Sequence, residues 1–281
     1  MVVVSTVSDV VGMPFERLWK IQRQKSSVLR DPIVLLTGSA AGFVGRAAAL
    51  SFDNGGAKGT MQTLQRRAPQ FGILMWLYVP ISSQLLPGTE TSPPFKALTT
   101  FLIGAFSGFM MRLMYNPVGR VWDECLRTGN GVAKTCQIFR SQTILQFYYT
   151  TPPLMANALY FGTLLTVFEG LRRFSERNGL LPLQIEEKEN HREVSRLRNY
   201  PIVVVGHTVL GGLAAAVAST VCYPFSAHCY QQTVIHDSAI CRGLESTLRK
   251  EVPMIAVSFG VFSMLQHVLA RHHGLRAGFG Y

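Results

Sequence analysis

GGLAAAVASTVCYPFSAHCYQQ, residues Gly211 to Gln232, decides the fold, because two other stretches are cut to the same frame. It is a run of small apolar residues that reads as a helix ending at Pro224, with Gly211 thirteen residues and Ala215 nine residues before that proline. In GAFSGFMMRLMYNP, residues 104–117, Gly104 and Gly108 stand at the same two distances from Pro117. In GSAAGFVGRAAALSFD, residues 38–53, Ser51 takes the place of the proline while Gly38 and Gly42 keep the offsets. Three small-xxx-small segments in one register are an internal repeat, and such spacing lets helix backbones approach closely.

Composition points to a membrane. The chain has 281 residues, 48% of them hydrophobic and 15% charged, where a soluble domain carries about 25% charged residues. Mean hydropathy is +0.20. The formal net charge of +11 is spread between apolar blocks, with no stripe that alternates basic and aromatic residues. Basic loops meeting anionic lipid head groups account for it better than a nucleic-acid partner does. The five cysteines form no CxxC pair and are odd in number, so neither a zinc site nor a disulfide framework follows. Cys222 and Cys229, seven apart, share a helix face and read as packed thiols. No phosphate loop, catalytic triad or paired-carboxylate arrangement stands out, so no enzyme activity, cofactor or metal is expected. The pair His272–His273 reads as a polar interfacial end.

Along the chain, residues 1–30 form an amphipathic surface segment, with Phe15, Leu18, Trp19 and Ile21 near helical spacing among Arg17, Lys20 and Arg23. That segment suits either a membrane interface or a partner protein. The apolar start Met1–Val4 is too short for a secretory signal and has no basic segment before it. Six spans are expected, near the ~20 residues a bilayer requires: Ile33–Leu50, Pro69–Pro87 with Pro80 inside, Ala97–Asn116, Pro152–Leu171, Pro201–Tyr223 and Val252–Ala270. The run from Ile185 to Arg198 is the one strongly charged stretch and reads as a solvated helix.

Three pairs of spans with a proline position ending the odd members resemble the mitochondrial carrier family of inner-membrane solute transporters. That family ends each odd helix with a proline–acid–basic motif, below a Gly-xxx-small pair such as those quoted above. Its even helices open with a basic-x-x-proline pattern, as in Arg66-Arg67-Ala68-Pro69 and Lys250-Glu251-Val252-Pro253, and partly in Thr150-Thr151-Pro152-Pro153. The resemblance implies an all-α membrane protein of six transmembrane helices in three pseudo-symmetric repeats: repeat 1 at 31–94, repeat 2 with a charged linker at 95–199, and repeat 3 with a C-terminal tail at 200–281. It implies a central cavity and both termini on the intermembrane-space side. Arg66, Lys250 and Thr150 would stand at the family's substrate-contact positions.

The departures from the family pattern concern charge. The proline motif survives as Ser51-Phe52-Asp53, Pro117-Val118-Gly119 and Pro224-Phe225-Ser226, so Asp53 is its sole acid. On the opposite side the aromatic–acid–basic motif keeps its charges in Phe168-Glu169-Gly170-Leu171-Arg172 alone, against Tyr78-Val79 with Ser82 and Phe262-Ser263 with Gln266. The remnants Asp53, Pro117, Pro224, Glu169 and Arg172 cannot form two rings of interhelical ion pairs. Arg46 and Arg112, each five residues before the proline position, share an inward face and, with Arg66, Lys250 and Thr150, could line a basic cavity for an anion or a lipid phosphate. The expectation is therefore a carrier-like accessory subunit of a respiratory-chain or ATP synthase assembly in the mitochondrial inner membrane. Its partners would be membrane lipids, cardiolipin among them, and other complex subunits, with no nucleic acid. The alternative is an active exchanger of a small anionic solute.

Overall fold

A computed structural model describes residues 32–50, 60–85, 93–128, 154–180, 193–230 and 237–273. These form six α-helices: α1 (Pro32–Leu50), α2 (Thr60–Leu85), α3 (Pro93–Thr128), α4 (Leu154–Arg177), α5 (Glu193–Tyr230) and α6 (Asp237–His273). The described residues contain no strand. Each helix packs on the next in chain order and α6 returns to α1, so the six close into a ring. The tightest pairings are the three hairpins α1–α2, α3–α4 and α5–α6, followed by the α6–α1 closure. The amphipathic segment 1–30, the breaker-rich stretch 54–59 and the run 185–192 lie outside the described residues.

The repeat read from the glycines extends to the outer face of the odd helices. On α3 the exposed large apolar side chains are Phe95, Leu98, Leu102, Phe106, Met114 and Val118; on α5 they are Ile202, Val205, Val209, Leu213, Val217, Val221 and Phe225. Counted from Pro117 and Pro224, all six of α3 have a counterpart on α5, and Val217 is the one addition, in register with the half-buried Met110. Leu36, Ala40 and Val44 of α1 are exposed at the corresponding distances from Ser51. On α3 and α5 the stripe is about 34 Å long at 1.5 Å per residue, close to the thickness of a bilayer's hydrocarbon core. The opposite face is equally regular: Ala41, Ser107 and Ala214, again in register, are 0% exposed.

Close backbone approach fixes each hairpin. A Cβ added to Gly38 would lie 2.8 Å from Gly72 Cα, and one on Gly42 would lie 2.7 Å from the Ala68 carbonyl oxygen. Gly104 and Gly108 meet the backbone of α4 in the same way, at 2.9 Å from the Phe161 oxygen and 3.1 Å from the Asn157 oxygen. On α5, Gly211 sits under Phe259 of α6, with 2.9 Å to its Cβ, and Ala215 beside it is 0% exposed. The ring is closed by Gly45 of α1, which accommodates Ser258 and Met254 of α6.

Two expectations are corrected. Pro117 and Pro224 lie inside α3 and α5 rather than ending them, for α3 runs on to Thr128 and α5 to Tyr230. An interior proline costs one backbone hydrogen bond, which packed neighbours allow a helix to bridge. The fourth helix extends beyond Leu171 to Arg177, where Gly179, at φ 69°, turns the chain and lets the Leu180 amide bond back to the Ser175 carbonyl at 2.9 Å. Among the described residues α1, α3, α4 and α5 are long and apolar enough to cross a membrane, which supports four of the six expected spans; the expected second and sixth spans extend beyond the described side chains of α2 and α6.

Gly104→Leu should therefore push α3 off α4, and its accumulation in membranes should drop severalfold relative to wild type. Gly170 has no atom within 4 Å of an added Cβ, so Gly170→Ala should keep full accumulation and gain up to about 1 kcal/mol of stability. Expression level and detergent melting temperature read both, and a neutral Gly104→Leu would contradict the packing.

Candidate functional site

The inward faces stack three layers. In the first lie Arg46 of α1, Arg112 of α3 and Ser219 of α5, each five residues before the proline position. Arg46 and Ser219 are buried and Arg112 is half-buried. Tyr160 of α4 brings its buried hydroxyl close to Ser219, near Cys222 and Glu251. The Cys222 thiol donates to the Thr163 hydroxyl at 3.6 Å across the α4–α5 boundary, which makes it a packed thiol as expected. Lys250 is half-buried on α6, one residue past Arg249, which is exposed and pairs loosely with Glu245 at 3.7 Å. Arg66 belongs to α2, but its side chain lies outside the described residues, as do Thr150, Asp53 and the side chain of Cys229.

The middle layer is apolar. Phe168 of α4 stacks on Phe259 of α6 with ring centroids 4.2 Å apart, and Phe71 of α2 meets Phe259 and Phe262 edge-on at 5.6 and 6.2 Å. These contacts join helices that are not neighbours in the ring, so the rings meet across its interior. Leu74, Met75, Leu164 and Leu165 pack around them at 0% exposure. The central cavity expected from the family resemblance is filled at this level.

The third layer is polar and holds the charged remnant. Arg172 grips Glu169 through two donors, Nε to Oε2 at 3.0 Å and Nη2 to Oε1 at 2.9 Å. Arg173 Nε donates to the same Oε1 at 2.9 Å, and Arg172 also reaches Glu176 at 3.3 Å. Every one of these partners belongs to α4. The equivalent residues on α6 instead bridge helices without charge: Gln266 donates to the Thr37 hydroxyl of α1 at 3.1 Å, and Ser263 is 2.7 Å from His207 Nδ1 of α5. The His207 ring also tilts against Phe168, 5.8 Å away. On α2, Ser82 bonds only its own helix, to the Val79 carbonyl at 3.0 Å, among the contacts described.

Sequence reasoning missed His207, Thr37 and the aromatic layer. His207 was visible as the lone ionisable side chain in an apolar run, which in a membrane segment marks a residue with a specific partner. The aromatic layer gave no warning, because Phe71, Phe168 and Phe259 come from three helices and meet only after the ring has closed. Among the described residues no group of three histidine, cysteine, aspartate or glutamate side chains could hold a metal ion.

Replacing Glu169 with Gln leaves the buried Arg172 and its neighbour short of a carboxylate and should cost on the order of 3 kcal/mol. Ser263→Ala removes one neutral interhelical bond and should cost about 1 kcal/mol or less. Melting temperatures of the two variants in detergent should differ in that order. No protein-family model, characterised protein or solved structure matches the chain, and the functional reading stands on its own residues.

Proposed function

We propose that the chain is a multi-pass protein of the mitochondrial inner membrane with the three-repeat architecture of the mitochondrial carriers. In this reading it has given up transport and serves as a structural or accessory subunit of a respiratory-chain or ATP synthase assembly. The observation that carries the proposal is where the charges of the third layer are spent. Glu169 is held by Arg172 and Arg173 of its own helix, and such bonds survive any movement of α4 against its neighbours. Alternating access requires contacts that differ between two states by a few kcal/mol, and an ion pair internal to one helix contributes no such difference. At this level Gln266 with Thr37 and Ser263 with His207 bridge helices through amide, hydroxyl and imidazole groups in place of carboxylates. They suit a fixed ring. The repeat register of the outer faces and the glycine-sealed hairpins support the carrier architecture; the placement in mitochondria rests on the family resemblance alone.

Arg46 and Arg112 favour the second reading, an exchanger of a small anionic metabolite, because they stand at one register position of two repeats and are buried and half-buried. The two readings separate in reconstituted vesicles. The purified chain should exchange nucleotide, phosphate and carboxylate at background rates, and gentle extraction from its native membrane should recover it with stoichiometric partners. Saturable exchange that Arg46→Ala or Arg112→Ala abolishes would establish the transporter instead.

A further inference from the structure

The ring holds two polar layers separated by an apolar one, and the separation has a functional meaning of its own. On one side lie Arg46, Arg112, Ser219 and the Tyr160 hydroxyl; on the other lie Glu169, Arg172, His207 and Gln266. Between them Phe71, Phe168, Phe259 and Phe262 interlock across the ring, at 7%, 1%, 0% and 0% exposure. The small residues Ala41, Ser107 and Ala214 fill the odd-helix positions behind them. From Ile255 to Phe262 α6 rises about 10 Å, and the one polar side chain in that stretch, Ser258, bonds back to the Met254 carbonyl of its own helix. A constriction of that depth lined by phenylalanines, with isolated hydroxyls as its only side-chain oxygens, offers a permeating ion too little to replace its hydration shell.

We propose that this aromatic layer is an ion-tight septum that divides the ring into two polar chambers and keeps the membrane sealed to protons and small anions. The proposal rests on the reading that the ring spans a membrane, and it holds whether the chain is a scaffold or an exchanger. A scaffold that retains buried arginines on one side and a histidine on the other forms a leak path through its own axis unless something blocks the middle. The Phe168–Phe259 stack does so without a charged gate. It joins α4 to α6 across the ring, and Phe71 completes the barrier from α2. Each of the three even helices therefore contributes a ring, and loss of any one thins the septum.

The test uses the full chain in vesicles of neutral phospholipid with an entrapped pH dye or chloride dye. Wild type should be as tight as protein-free vesicles. Phe168→Ala with Phe259→Ala should raise proton or chloride flux by at least about tenfold, the change that about 1.4 kcal/mol of barrier represents. Phe259→Leu, which keeps the layer apolar and filled, should stay tight. Should the double variant not yield monodisperse protein, Phe71→Ser alone is read in the same assay, with the same increase expected. Resistance to carbonate extraction reports insertion. Protein that fails to insert contradicts the membrane reading itself, whereas inserted wild type that leaks, or an inserted Phe-to-small variant that remains tight, overturns the septum.

Discussion

Helix packing in a bilayer cannot draw on the hydrophobic effect, since lipid tails are as apolar as the side chains they would replace. Association must come from close contact and from polar groups that find partners between helices. Gly38 on Gly72, Gly104 on Phe161 and Gly211 under Phe259 supply the first. At each site a single methyl would fall within about 3 Å of the neighbouring helix, closer than side-chain carbon atoms ordinarily come. The three hairpins are thus one solution used three times. The outward stripes follow from it: once the glycine face of an odd helix is committed to its partner, the same positions are left facing outward in every repeat.

Closing the hairpins into a ring requires different contacts, because the glycine faces are already used. The α6–α1 closure has Gly45 against Ser258 and Met254, and Gln266 bonded to Thr37. Around the rest of the interior, size rather than charge sets the fit: phenylalanines from the even helices meet alanines and a serine from the odd ones. The buried ion pair of the third layer lies within α4, where Arg172 and Arg173 hold Glu169. A buried pair of that kind costs desolvation wherever it stands. Within one helix the pair is complete before the ring assembles, so assembly does not depend on it. Neutral hydroxyl, amide and imidazole bridges then tie α6 to both of its neighbours.

Much of this was legible in the sequence because small residues at fixed distances from a proline are a local signal. The hairpin seams, the shared register of Arg46 and Arg112, and the packed thiol of Cys222 all follow from counting along one helix. Helix ends were less legible. Pro117 and Pro224 read as terminators because proline lacks the amide donor, yet the neighbouring helices hold the chain helical past them. The aromatic layer depends on which helices face each other across the interior, information that no single stretch carries.

Closure of the ring between α1 and α6 is the feature on which the inner layers depend, and a distance across it tests the account directly. In a cysteine-free background, Thr37→Cys with Gln266→Cys should be joined by a short bifunctional thiol reagent in native membranes, because the parent side chains meet at 3.1 Å. Thr37→Cys with Thr100→Cys, on α1 and α3, which do not pack on each other, should stay unlinked. Linkage of the α1–α3 pair without the α1–α6 pair would contradict the closed ring and, with it, the layered interior.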